Sequence, residues 1–342
     1  MPIRRLAAAT SACLLLAACT SWATTVACAD PPLILAASDP MTGESAWAFR
    51  PADGGDDRDI TPGRGAHVPV LSPDGRTVAF AQGSGVFSDS TGWPESRVAV
   101  VQLDSQATRL VSADVPDAVV WGMQWSADGS EIAFIRSSLT TDEIVAVGVA
   151  DGRERRLLDL VDAAGWFFSW SPDGEELLVP TVPEVDAPSS SAAFPSVELR
   201  RYRVGTRDSI VVETPHEIVS EVAWAPDGRQ VAMAADIPGT LRTRLYVLDL
   251  DTGESRPVDR RRGGPMSMTW SGPYLIYTYE LRRQDGPLAL MRWNSRSGER
   301  MRLASPAGSN PVLSRSMLFD VTVSAPGCAI GADGRTGHHP GG

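Results

Sequence analysis

An all-β chain that closes into a six-bladed β-propeller, with its N- and C-termini sharing the closing blade, is the fold this sequence predicts. Three observations carry that expectation. A turn tetrapeptide recurs at Ser72-Pro73-Asp74-Gly75, Ser126-Ala127-Asp128-Gly129, Ser171-Pro172-Asp173-Gly174 and Ala225-Pro226-Asp227-Gly228. A unit repeating at that spacing marks a stacked or circular β array. Around each turn lie short apolar runs that count out to four antiparallel strands per unit, the blade of a propeller. Finally, the two ends of the chain each carry only part of a unit.

Aligned on the turn, the first strands are Val68–Leu71, Gly122–Trp125, Phe167–Trp170, Glu221–Trp224, Ser267–Trp270 and Asn310–Leu313. The fifth turn has lost its aspartate (Ser271-Gly272-Pro273), and the sixth reads Ser314-Arg315-Ser316. Second strands follow at Thr77–Ala81, Glu131–Ile135, Glu176–Val179, Gln230–Ala234, Tyr274–Tyr279 and Met317–Val323. Third strands such as Arg97–Leu103 and Arg244–Leu250 enter Gly-containing turns, and short fourth strands such as Arg156–Leu160 complete the unit. The sixth unit then runs out after two strands. Its missing half is expected at the other terminus, where Ala46–Phe49, a turn at Asp53-Gly54-Gly55 and Arg58–Thr61 fit a third and a fourth strand. Such sharing removes an open sheet edge. Leu33–Ala37 reads as a further strand without a place in this scheme.

These units resemble the TolB-type (WD-like) propeller repeat. The shared pattern is an apolar strand ending Trp-Ser-Pro-Asp-Gly, then apolar strands, the later one ending Asp-x-x-Gly-Glu, and it extends over roughly residues 33 to 323. The resemblance implies the fold. It hardly specifies function, because the family includes cell-envelope propellers as well as propeller domains fused to serine peptidases.

The N-terminus reads as an export signal. Arg4 and Arg5 precede an apolar stretch from Leu6 to Ala18, too short for a membrane span, which takes about 20 residues. It ends Leu16-Ala17-Ala18-Cys19, which resembles a bacterial lipobox and implies lipid attachment at Cys19. An ordinary signal peptide with a chance cysteine is the alternative. The expected layout is a lipoprotein signal peptide over 1–18, a tether over 19–32, the propeller over 33–328 and a disordered tail over 329–342. The protein is then exported and held by lipid at the outer side of the cytoplasmic membrane, or periplasmic.

Of four cysteines, Cys13 leaves with the signal and lipid occupies Cys19, so Cys28 and Cys328 remain. In an oxidising compartment such a pair is expected as a disulfide. Cleavage after Ala29 would instead strand Cys328, and cleavage after Ala23 would keep the pair without an anchor. Both cysteines are expected at one corner of the shared blade. A bridge there closes a very long loop, worth about 4 to 5 kcal/mol in the chain-entropy account.

Chemistry is sparse. The formal net charge is −11 and every basic residue is arginine, a poor match to nucleic acid, whose phosphates need a basic footprint. Arg260-Arg261-Arg262 reads as a solvated loop. The turn residues Asp74, Asp128, Asp173 and Asp227 read as turn formers, since Pro-Asp-Gly supplies the fixed φ, the side-chain cap and the positive φ of a tight turn. Trp125, Trp170, Trp224 and Trp270 read as packing between blades. No Gly-x-Ser-x-Gly elbow and no zinc spacing occurs, and Asp53 to Asp59 lacks the pattern of a calcium loop. No cofactor and no enzymatic activity are expected. One constellation stands apart. Five residues before each turn, the innermost strands carry His67, Trp121, Trp166, Ser220, Met266 and Ser309, with Glu221 and Asn310 beside them, at one mouth of the central channel. The longest connections, Gln82–Glu95 and Thr181–Ser196, open on that face, and long loops on a stiff scaffold are where binding concentrates. The expectation is a non-catalytic interaction or accessory module that binds another envelope protein or peptide. The alternative is a small-ligand sensor or enzyme that uses the channel mouth through His67, Trp121, Trp166, Glu221 and Asn310.

Overall fold

A computed structural model of the chain describes residues 32–39, 44–51, 56, 58–160, 167–182, 196–238, 240, 242–259, 265–280, 288–303 and 320–324. The first three strands are β1 (Leu33–Asp39), β2 (Glu44–Arg50) and β3 (Arg58–Asp59). Blade 1 is β4 (Ala66–Leu71), β5 (Thr77–Phe87), β6 (Pro94–Gln102) and β7 (Thr108–Leu110). Blade 2 is β8 (Val119–Trp125), β9 (Glu131–Ser137), β10 (Asp142–Gly148) and β11 (Glu154–Asp159). Blade 3 is β12 (Ser169–Trp170), β13 (Glu176–Thr181), β14 (Glu198–Arg203) and β15 (Ser209–Val212). Blade 4 is β16 (Val219–Trp224), β17 (Gln230–Asp236), β18 (Thr243–Asp249) and β19 (Ser255–Pro257). Blade 5 is β20 (Pro265–Ser271), β21 (Tyr274–Glu280), β22 (Leu288–Asn294) and β23 (Arg300–Arg302), and β24 (Asp320–Ser324) ends the described chain. Every sheet has four antiparallel strands in up-and-down order, giving the six blades.

The closing blade corrects one expectation. Its order is β24-β1-β2-β3, so the C-terminus contributes the innermost strand alone and the N-terminus the other three. Leu33–Asp39 takes the second place that Met317–Val323 was expected to fill, pairing Ile34 with Phe49 on one side and with Ser324 on the other. The physical reason lies in the patterns. Leu-Ile-Leu-Ala-Ala is apolar throughout, as suits a strand between two others, whereas Asp-Val-Thr-Val-Ser alternates as innermost strands do. The expected strand Asn310–Leu313 lies outside the described residues.

The repeated turn shows why its residues recur. Ser72 Oγ donates to Asp74 Oδ1 (2.5 Å) and accepts from the Thr77 amide (2.9 Å), while Asp74 Oδ1 also accepts from the Arg76 amide (3.0 Å). Gly75 supplies the φ of +69° that ends the turn. The same serine–aspartate pair forms at Ser126–Asp128 (2.7 Å) and Ser171–Asp173 (2.6 Å). These hydroxyls, ahead of the neighbouring amides, hold the Asp128 and Asp173 carboxyls below the usual carboxylate range. In blade 4 the serine is Ala225, and the Gln230 amide turns to Asp227 Oδ1 at 3.1 Å instead. Ser171→Ala is therefore expected to cost about 1–2 kcal/mol, and Ala225→Ser to add up to about 1 kcal/mol. Urea unfolding of the two variants checks both signs.

The core is a succession of interfaces between blades. Trp47, Ile34 and Phe49 of the closing blade meet Phe80, Val78 and Val101 of blade 1, with Trp47 and Phe80 edge to face at 5.3 Å. Along the channel wall, adjacent innermost strands are clasped by side-chain bonds. Trp125 Nε1 donates to Val70 O (3.0 Å), Gln124 Oε1 accepts from the Trp170 amide (2.6 Å), Ser169 Oγ accepts from the Trp224 amide (2.8 Å) and Trp270 Nε1 donates to Ala223 O (2.9 Å). The tryptophan stripe thus packs between blades as expected, and each of its members is buried.

Up-and-down order gives the ring two distinct faces. One carries the Pro-Asp-Gly turns; the other carries the hairpins between second and third strands and the crossings from blade to blade. β1 begins, and β24 ends, on the turn face, where Pro32 lies beside the Gly75 turn.

Candidate functional site

The hairpin face carries the described members of the set singled out from the sequence, His67, Trp121 and Glu221, and local irregularities set how they are presented. In β4, β8, β16 and β20 the ladder to the second strand slips by one residue, between His67 and Val70, Trp121 and Met123, Val219 and Glu221, and Pro265 and Ser267. A bulge of this kind re-aims side chains and recurs at barrel rims and sites. Here it recurs at one level of the channel. Val68 sits in it with φ +51°, a conformation costly for a β-branched residue, and Gly122 has φ +34°. A glycine inside an apolar strand was the signal in the sequence for the second of these bulges.

His67 does not open onto the mouth. It is 3% exposed, and its Nδ1–H donates to Gly65 O at 3.1 Å. That carbonyl also accepts from the Gly83 amide (2.8 Å), and Gly65 has φ +77°, with a Cβ there standing 3.3 Å from Gly83 O, so a side chain at this position would be strained. Burial holds the His67 imidazole below its ordinary value. The unfolded chain accepts that proton from about pH 6.5 downward, while the folded chain still refuses it. Stability is therefore fully present above pH 6.5 and falls as the pH drops toward the lowered folded value, by at most about 1.4 kcal/mol per pH unit. His67→Asn is expected to remove this component, read as a shallower pH dependence of the urea midpoint between pH 6.5 and 5.

Trp121 is half-buried and meets Trp93 edge to face at 5.0 Å. Glu221 is likewise half-buried on β16, one residue past its bulge, and Ser220 is exposed beside it. Trp166 and Asn310 lie outside the described residues. Phe167, which follows Trp166, is 42% exposed at the level of Glu221.

The connection Gln82–Glu95, expected as a loop, is a hairpin that prolongs blade 1. Phe87 pairs with Pro94 beyond an irregularity that starts at Gly83. Its tip is gripped by the crossing from blade 1 to blade 2. Asp117, itself at φ +59°, accepts from the Asp89 amide (2.6 Å), its carbonyl accepts from Ser88 Oγ (3.2 Å), and its amide donates to Glu95 Oε1 (3.0 Å). The Ser90 hydroxyl leads the hydrogen bonds that hold the Asp117 carboxyl below its usual range. The crossing is braced in turn from blade 2. Arg136 is bound by Glu143 (3.0 Å) and Glu154 (2.8 Å), and Glu154 also accepts from the Ala113 amide (2.7 Å). Burial alone would lower the Arg136 guanidinium; the two carboxylates outweigh it and raise it. Sequence reasoning found neither the hairpin nor its brace, because both depend on residues far apart in the chain.

Under the hairpin opens a cleft of about 270 Å³, bordered by Gln82, Glu95, Arg97, Leu110, Asp114 and Val115 among others. Arg97 reaches Ser112 O at 2.8 Å and Asp114 at 3.4 Å. On blade 4, His216 Nε2 meets Ser255 Oγ at 3.0 Å and Nδ1 donates to Asp236 O at 2.8 Å. This set differs from a catalytic triad. The Asp236 carboxylate stands 3.8 Å from the ring and accepts from the amides of Glu217 (2.9 Å) and Ile218 (3.0 Å), and the His216 side chain is 2% exposed. It works as a clamp between a crossing and an outer strand. Among the described residues no group of three or more His, Cys, Asp or Glu side chains is placed to hold a metal ion.

No protein-family model and no curated protein matches the sequence. Solved structures do match the fold. TolB from Acinetobacter baumannii aligns over 86% of this chain with TM-score 0.59 and 14% identity, and the chain spans 66% of that structure's length. A chain of a nidogen/laminin complex aligns over 87% of this chain and 99% of its own, with TM-score 0.57 and 12% identity. A puromycin-hydrolyzing peptidase of Mycobacterium tuberculosis aligns over 81% of this chain and 45% of its own, with TM-score 0.50 and 16% identity. At these identities the likeness is one of architecture: the chain carries a six-bladed propeller of the kind seen in TolB.

Proposed function

We propose that this protein is an extracytoplasmic propeller, tethered by lipid at Cys19, that acts as a non-catalytic binding or accessory module for another protein of the cell envelope. The observation that carries the reading is the division of the ring into two faces. The described chain enters and leaves on the turn face. A tether at 19–32 thus leaves the opposite face, with its braced hairpin and exposed apolar side chains, turned away from the membrane. The likeness to TolB supports an envelope setting, and the nidogen/laminin likeness supports a role in protein binding; both are arguments from fold. Cys28 and Cys328, outside the described residues, lie six residues before Ile34 and four after its partner Ser324. We assign them a disulfide beside the turn face, which a mass change of the purified chain on reduction would reveal.

A second reading has its own observation. The bulge level of the channel combines Val68 at φ +51°, exposed Phe167 and half-buried Glu221, features that suit a small ligand. Crosslinking in cells, followed by recovery of wild type and Cys19→Ala, separates the two. A reproducible envelope partner that depends on Cys19 supports the first. A monomeric, membrane-bound protein without a partner supports the second.

A further inference from the structure

Of the eight large apolar side chains that are most exposed among the described residues, four lie on the hairpin face: Val86, Phe87, Leu139 and Phe167. Three of these cap the hairpins of neighbouring blades 1 and 2. Val86 is 57%, Phe87 47% and Leu139 68% exposed, and Leu110 borders the cleft beneath. Single exposed apolar residues are ordinary, but a group of them on one face marks a contact surface. The blade 1 hairpin is also held still, by Asp117 at its tip and by Trp93 against Trp121. A tip fixed before contact loses little conformational entropy on binding. The charged groups around these side chains are mostly carboxylates. Asp89 and Asp142 are exposed on the two hairpins, and Glu95 and Asp114 border the cleft, with Asp114 79% exposed. Against them stand Arg97, engaged by Ser112 and Asp114, Arg136, held between Glu143 and Glu154, and exposed Arg64, whose carbonyl accepts from Gln82.

We propose that the hairpins of blades 1 and 2, with the cleft under the blade 1 hairpin, form a docking surface for a cationic amphipathic segment of a partner protein. Apolar side chains of that segment cover Phe87, Val86 and Leu139, and its Lys or Arg residues face Asp89, Asp114 and Asp142. Complementary charge of this kind selects the partner and speeds encounter. An anionic lipid surface is a poor occupant for the same reason, because these carboxylates oppose it. The proposal rests on the protein-binding reading above and names the chemistry of its partner.

The test uses the full mature chain and a pair of fluorescent 14-residue amphipathic peptides with identical apolar residues, one bearing Lys and Arg, the other Glu and Asp. The cationic peptide is expected to bind at least tenfold more tightly by anisotropy at 50 mM salt, and to weaken several-fold at 300 mM. The double variant Phe87→Ser/Leu139→Ser and the double variant Asp89→Asn/Asp114→Asn are each expected to lose fivefold or more with unchanged melting temperature. Equal binding of the two peptides, or indifference to both variants, overturns the proposal. So does Phe87-dependent binding to phosphatidylglycerol vesicles, or self-association that Phe87→Ser abolishes, since the occupant is then a membrane or a second copy. A cellular partner that is still captured by Phe87→Ser/Leu139→Ser also overturns this surface while leaving the protein-binding reading intact. Failure to capture any partner tells instead against that reading.

Discussion

A chain ended at residue 319 is expected to lose its closed ring. The missing β24 is the only C-terminal strand described in the closing blade, pairing with β1 from Ile34↔Ser324 to Ser38↔Asp320. It also lies against the innermost strands β20 and β4 on either side. Without it β1 becomes an open edge along the channel, and the closing blade loses the contacts that β24 makes with β20 and β21 of blade 5. An exposed edge of this sort recruits other chains. The expected result is a larger hydrodynamic radius, a non-cooperative melt and concentration-dependent aggregation. A synthetic peptide of residues 317–328, added during refolding, is expected to restore part of the compact species. A truncated chain that melts as sharply and as late as the full one would refute the 3+1 closure.

Trp47→Ala is expected to lower stability by about 3–5 kcal/mol, the range for deleting a buried large aromatic. Trp47 is fully buried at the interface between the closing blade and blade 1, edge to face with Phe80. Its place decides the size of the effect, because it packs against Phe80, Val78 and Ile34, each of them fully buried. Trp47→Phe should behave quite differently. The Trp47 indole N–H is buried and finds no acceptor among the described residues, so phenylalanine removes an unsatisfied donor while it keeps much of the apolar contact. The expected cost is less than half that of alanine. Urea unfolding with a constant m-value would check both. Equal losses for the two variants would mean that the indole N–H matters more than the packing.

The parts of this fold that could be read from the chain are those whose chemistry is local. Pro-Asp-Gly states its turn within four residues, and the tryptophan before it marks where each innermost strand ends. Closure was misjudged because strand pairing is a long-range choice. Leu33–Ala37 announced a strand but not its neighbour, and Met317–Val323 looked equally fit for the place it took. The site divides in the same way. Alignment alone put His67, Trp121 and Ser220 at one level of the channel, with Glu221 beside them. That His67 is sealed follows from the contact of Gly65 with Gly83, eighteen residues away. The hairpin of blade 1 was hidden for a like reason. Its Gly- and Ser-rich sequence suggests a loose loop, and the residue that stiffens it, Asp117, belongs to the next crossing.

The position of β1 has a mechanical consequence. It runs from the turn face between β24 and β2, paired along its length on both sides. A pull on the chain ahead of Pro32 is directed along the axis of that strand, so the flanking ladders are loaded in shear and share the force. Peeling, in which bonds fail one at a time, would need the strand to lie at an edge. A propeller held from this end bears tension in its stiffest direction, so under the proposed attachment at Cys19 a load on the ring would reach Pro32 without passing through a weak edge.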